Sequence, residues 1–228
     1  MSSREDILAR VRANLGLRAD DEPRDKARRA DANQYLAARS AGPRPEPGSD
    51  LVARFSAKSA AMASSVEVLA TVDAVPAAVR SYLDGLRLPP VAVCWPEFAC
   101  LDWAGAGLEV DARPASGDDA VGITGCFCAI AETGTLMLVS GPQTAATTSL
   151  LPETHIAVVA VSRIVPAMEE AFALLRREQG DDLPRAVNFV SGPSRTGDIE
   201  QTIVLGAHGP YRVHLILVED RPSPDSGP

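Results

Sequence analysis

AVGITGCFCAIAETGTLMLVS, residues 120–140, decides the fold. Its apolar, β-rich runs are broken at Gly125 and Gly134, and strands so uniformly apolar belong to a sheet covered on both faces. Working outward, HIAVVAVS (155–162) reads as another buried strand, and VPAMEEAFALLRREQ (165–179) as an amphipathic helix. Upstream, VEVLATV (66–72) and VAVCW (91–95) are strands on either side of a helix, AVPAAVRSYLDGL, with Asp73 as its expected cap. Downstream, AVNFVS (186–191), QTIVLG (201–206) and YRVHLILVED (211–220) complete the strands. Strands alternating with helices give an α/β domain. The link between 206 and 211 is too short for a helix, so the sheet is expected to be mixed, though mostly parallel.

The rest of the chain adds an appendage to this domain. The sequence has 228 residues, 46% hydrophobic and 23% charged, enough for one main domain with a sizeable core. Residues 1–50 carry ten Lys/Arg and nine Asp/Glu, so +1 of the net −8 lies there and −9 in residues 51–228. Ile7, Leu8, Val11, Leu15 and Leu17 suggest a short amphipathic helix, and residues 24–39 a second, highly charged one. AGPRPEPGS (41–49) is a Pro/Gly linker. The expected organisation is a helical arm over 1–50, an α/β domain over 51–221 and a disordered tail over 222–228.

Charge and composition narrow the function. A negative field repels phosphate backbones, which argues against nucleic-acid binding. No apolar run reaches the roughly 20 residues of a membrane span, and no secretory signal is visible, so the expected location is cytoplasmic. Cys94, Cys100, Cys126 and Cys128 are spaced C-x5-C and C-x-C, unlike a zinc or iron–sulfur motif. Alternation puts Cys126 and Cys128 on one strand face as buried thiols. Neither metal nor cofactor is expected. GxxxxGK[ST], GxSxG and HExxH are absent.

Ligands of such sheets bind beyond the carboxyl ends of the strands, and three segments are candidates on that rule. In Ala131-Glu132-Thr133-Gly134-Thr135, Glu132 could be a base, nucleophile or anchor, with Thr133 and Thr135 as donors around a close approach at Gly134. The alternative is a bulge whose Glu pairs with an arginine. In SGPSRTGDIE (191–200), Ser191, Gly192, Ser194, Thr196 and Asp198 surround a turn. Its free N–H groups, with Arg195, form a cradle for phosphate or carboxylate; the alternative is a purely structural turn. In GAHGP (206–210), His208 could be an acid or base, or a plain turn residue. Glu132, Arg195 and His208 are expected to meet in one crevice, with Arg195 partnering Glu132. His155 and His214 read as core or edge residues.

AIAETGT (129–135), SLLPETHIAVV (149–159), SGPSRTGDIE (191–200) and GAHGPYRVHLILVED (206–220) together resemble the lactate-utilisation protein C family, the LUD-domain proteins. The resemblance runs over residues 51–220, and the start ILARVRANLG is similar too. It implies a three-layer α/β/α fold like that of glucosamine-6-phosphate deaminase, ribose-5-phosphate isomerase and the CoA transferases. It also implies a non-redox role in L-lactate utilisation, beside two iron–sulfur partner subunits in a system that oxidises lactate to pyruvate. The chain would then bind a small anionic ligand or assemble the complex, with a homo-oligomer left open. The alternative is a stand-alone isomerase or acyl/CoA transferase using Glu132.

Overall fold

The computed structural model describes residues 3–16, 22–38, 40, 42–46, 48–180, 182–196 and 204–219. They divide into two units between Arg44 and Pro45, inside the Pro-rich stretch. The first unit holds α1 (Ser3–Asn14) and α2 (Glu22–Ala38). Its apolar residues Ile7, Val11, Leu15, Tyr35 and Leu36 are exposed, and α1 has no buried residue. Two helices so poor in apolar surface make no core of their own.

The second unit runs α3 (Leu51–Ala61), β1 (Ser65–Leu69), α4 (Val75–Leu86), β2 (Val91–Cys94), β3 (Glu109–Ala112), β4 (Val121–Thr124), β5 (Cys128–Ile130), β6 (Thr135–Val139), α5 (Thr147–Leu150) and β7 (Thr154–Ala160). It continues through β8 (Ile164–Val165), α6 (Met168–Gln179), β9 (Val187–Val190), β10 (Arg195–Thr196), β11 (Val204–Leu205) and β12 (Arg212–Val218). The central sheet has the order β1-β12-β7-β4-β2-β3, and every neighbouring pair is parallel. β4 is buried throughout, and β7 and β12 at all but one residue each, as strands covered on both faces must be. With its helices, this is a three-layer α/β arrangement.

Helix ends follow local chemistry. Asp50 caps α3 by accepting a hydrogen bond from the Ala53 N–H at 2.9 Å. Asp73 does not cap α4 as expected: a 3-10 turn over Val72–Ala74 leads into the helix, with Pro76 in its first turn and no side-chain cap. α4 seals Val75, Ala78, Val79 and Leu83 into the main core. Each such burial is worth roughly 1.5–3 kcal/mol for Val or Leu.

Antiparallel pairing occurs, but outside the central sheet. A second sheet, β8-β5-β6-β9, is antiparallel at β5/β6 and β6/β9. It builds its own small core of Cys128, Ile130, Met137, Ala171, Leu174 and Leu175 with α6. The short link at 206–211 was expected to place an antiparallel neighbour in the main sheet. Instead β11 pairs with β10 in a separate ribbon, and β12 inserts in parallel between β1 and β7. A strand as apolar as VHLILV has to enter the sheet's interior, whereas two-residue β11 is content at the surface. No helix among the described residues is long and apolar enough to cross a membrane.

Candidate functional site

The β5–β6 hairpin turns at Ala131–Gly134, so Glu132 sits at a tight bend. Gly134 has φ +66°, and a Cβ there would lie 2.5 Å from the Ser59 nitrogen near the end of α3. Gly192, φ +77°, meets the same helix end: its Cβ would fall 2.1 Å from the Met62 carbonyl oxygen. Two glycines thus let two turns close on one helix terminus. Between them runs a chain of hydroxyls, Thr133 Oγ1 to Thr135 Oγ1 at 2.8 Å and Thr135 Oγ1 to Ser191 Oγ at 2.7 Å. Arg195 joins them, donating from Nη2 to the Met62 carbonyl at 3.0 Å.

The third loop docks on the second. The Ser194 N–H donates to the Pro210 carbonyl, and the Gly206 N–H to the Ser194 carbonyl. The three segments are therefore contiguous. Their charged side chains are less so. Among the described residues, Glu132, Arg195 and His208 make no hydrogen bond or ion pair with one another. Glu132 binds through its backbone N–H, to the Pro166 carbonyl at 3.0 Å, while its half-buried carboxylate has no partner among the described residues. The expected arginine partner is missing because water still reaches a carboxylate at a hairpin tip. His208 is exposed, and Thr196 pairs with Val204 in the ribbon. Asp198 lies outside the described residues.

This cluster occupies the end of the sheet opposite to the one expected. α3 runs into β1 through Met62–Ser64, and Pro210 precedes β12, so both mark the amino ends of the parallel strands. The carboxyl-end rule was applied to β5, β9 and β11, none of which belongs to the central sheet.

At the true carboxyl ends lies a different feature. From β2 the chain moves outward to β3, whereas from β4 it moves the other way to β7, so the connection reverses between β2 and β4. There a cavity of about 420 Å³ is lined by Trp95 and Glu97 after β2, Cys126 and Phe127 after β4, Ser140 after β6, and Asp182 after α6. Glu97 lies so close over Gly125 that a Cβ there would come within 2.4 Å of its Oε1. Although the residue as a whole is exposed, desolvation of the carboxylate raises its pKa, opposed by the Gly125 N–H hydrogen bond. Behind Gly125, Thr124 Oγ1 donates to the Gly125 carbonyl at 2.8 Å and meets His155 Nε2 at 2.8 Å.

Glu97 and Gly125 were passed over in the sequence. Their signal was the rule itself, because WPE and GCF follow the two strands at the reversal. Cys126 is half-buried at the cavity's edge, outside β5, rather than sharing a buried strand face with Cys128, which packs on Met137 in the second core. Burial pushes the Cys126 thiol up, and those of Cys94 and Cys128 to about 11. Among the described residues, no group of three or more His, Cys, Asp or Glu could hold a metal ion.

The class so defined is a three-layer α/β protein with a parallel central sheet. A crystal structure of a DUF162 family protein from Deinococcus radiodurans shares that fold, with a TM-score of 0.56, 24% identity, and coverage of 74% of this chain and 96% of that one. Residues 97–218 match the LUD domain model, and the chain belongs to the LUD domain family. It is 39% identical over 132 residues to lactate utilization protein C of Bacillus licheniformis, covering 56% of this chain and 54% of that protein. It is 43% identical over 103 residues to lactate utilization protein C of Bacillus subtilis, covering 44% and 43%. The chain thus matches about half the length of these relatives.

Proposed function

We propose that this protein works in L-lactate utilisation as a non-redox component of a system that oxidises lactate to pyruvate. In this reading it holds a small anionic ligand at the Thr133–Thr135–Ser191 hydroxyl run and assembles with iron–sulfur subunits in the cytoplasm. The observation that carries the reading is the 39% identity, over 132 residues, to a relative named lactate utilization protein C. The ligand half is supported by three hydroxyls in hydrogen-bond sequence, with the Arg195 guanidinium near their Ser191 end. Hydroxyls and a guanidinium are the donors a carboxylate needs. The non-redox half is supported by thiols whose pKa burial raises, since a thiolate is the form that ligates iron. The geometry of Glu132 does not favour the isomerase or transferase alternative, because its carboxylate has no orienting partner among the described residues.

Affinity isolation of the tagged full-length chain from its own cells, grown on L-lactate, tests the assembly. Iron–sulfur proteins should accompany it in near-stoichiometric amounts, and their absence would contradict the assembly. Titration of the purified chain with L-lactate and pyruvate tests the ligand. Binding lost in both Ser191→Ala and Arg195→Ala supports the hydroxyl run, whereas binding indifferent to both removes it.

A further inference from the structure

The cavity at the carboxyl ends of β2 and β4 is unused by that reading, and its chemistry is of the opposite sign. Its volume of about 420 Å³ suits a small organic molecule. Its walls are fixed by hydrogen bonds of the protein itself. Trp95 Nε1 donates to the Ala145 carbonyl at 3.1 Å, and Thr144 Oγ1 to the Val139 carbonyl at 2.7 Å. Ser140 Oγ accepts from the Ala186 N–H at 2.8 Å. A site that needs no rearrangement loses little affinity to ordering.

The described lining holds two carboxylates, Glu97 and Asp182, and no Lys, Arg or His. A nearby cation, Arg163, sits 4.8 Å from the Phe127 ring centroid, and Glu178 already pairs with it bidentately at 2.8 and 3.0 Å. An anion entering here would face two like charges without a counter-charge. A cation would meet both carboxylates, and its apolar body would meet Trp95 and Phe127, aromatic surfaces that also favour positive charge. We infer that this cavity is a small-molecule site for an organic cation, an amine on a flat apolar body, with Glu97 and Asp182 as its charge partners. Glu97 is already desolvated over Gly125, so an incoming ammonium finds it partly stripped of water. Lactate and pyruvate, both anions, are excluded from this end of the sheet, so the site stands independently of the lactate reading.

Calorimetric titration of the full chain with three indoles of one shape tests this: tryptamine, tryptophol and indole-3-acetate, charged +1, 0 and −1 near neutral pH. Tryptamine should bind about fivefold or more tighter than tryptophol, the worth of one partly screened charge contact, and indole-3-acetate weakest. Glu97→Gln should weaken tryptamine by a similar factor while leaving tryptophol unchanged. Asp182→Asn, at an exposed position, is the companion variant should Glu97→Gln fold poorly, with the same expectation. Absence of tryptamine binding at millimolar concentration, equal binding of indole-3-acetate, or tryptamine affinity unchanged in the folded variants would overturn the proposal. None of these outcomes bears on growth with lactate.

Discussion

Lowering the pH from 7 to 5 should weaken the folded α/β unit through two histidines buried without charge. His155 in β7 is wholly buried, and burial holds its pKa down to about 4. Thr124 Oγ1 already donates its proton to the Gly125 carbonyl, so it accepts from His155 Nε2–H, and His155 Nδ1 is a bare acceptor with no partner among the described residues. Protonating that nitrogen would create an unpaired buried charge. His214 in β12 is nearly as buried, stacks on Tyr82 at 4.0 Å, and shares a 2.8 Å hydrogen bond between Nδ1 and Ser65 Oγ. Glu67 Oε2 lies 3.7 Å from its Nε2, but burial outweighs that carboxylate and the pKa again falls to about 4.

Since an unfolded histidine titrates near 6.5, the unfolded chain binds more protons between pH 6.5 and 4, and stability must fall across that window as pH falls. Each histidine should remove about 2 kcal/mol between pH 7 and 5, and the pair about 4 kcal/mol, the effect levelling off below pH 4. Glu97, its pKa raised in the fold, works in the opposite direction and trims the total. Guanidinium unfolding of the full chain at pH 7, 6 and 5 measures it. His155→Gln, if folded, should lose about half of the pH dependence. A free energy of unfolding flat to within about 0.5 kcal/mol over this range would refute the reasoning.

Gly134→Ala and Gly192→Ala should each cost about 2 kcal/mol or more, because the backbone is left-handed at both and the new methyl meets backbone atoms of α3 or Met62; Gly117→Ala, with open space around it, serves as the control in the same thermal melts. Asp119→Ala should lower the melting temperature modestly, by releasing Arg113 from two 2.8 Å contacts and removing the acceptor of the Ser116 N–H and hydroxyl. Those contacts also hold the Asp119 carboxyl well below the usual range, so their contribution should be present at neutral pH and vanish under strong acid. Deleting residues 1–44 should leave the unfolding of the second unit cooperative and its midpoint within a few degrees, since α1 has no buried residue and the cut spares Glu46, whose carbonyl accepts from Arg54. A large drop in midpoint would show that the arm supports the rest of the chain.

Strand existence was legible wherever apolar runs were long: HIAVVAVS and VHLILV are adjacent interior strands of the central sheet. Membership of a particular sheet was not. CAI and TLMLV look like central strands, yet form a hairpin in the second sheet, because apolarity reports burial and not which partner provides it. β3, β8 and β10 were missed since runs of two to four residues are too short to carry a periodic signal. In the candidate site, Gly134 reads in the sequence as a bend or a close approach to a ligand and Gly192 as part of a turn; in the structure both face α3's end. The direction of the sheet at those turns depends on pairing remote in sequence, so the carboxyl-end rule was applied to the wrong strands. The same ignorance hid Glu97, whose importance appears only when β2 and β4 are known to be neighbours at a reversal.

Growth on L-lactate tests the central claim most directly. Deleting the gene in its own host, and restoring it with the wild-type chain, should abolish and then recover growth on L-lactate as sole carbon source, with growth on glucose unaffected throughout. Undiminished growth of the deletion strain on L-lactate, in a host without a second copy, would contradict the assignment to lactate utilisation.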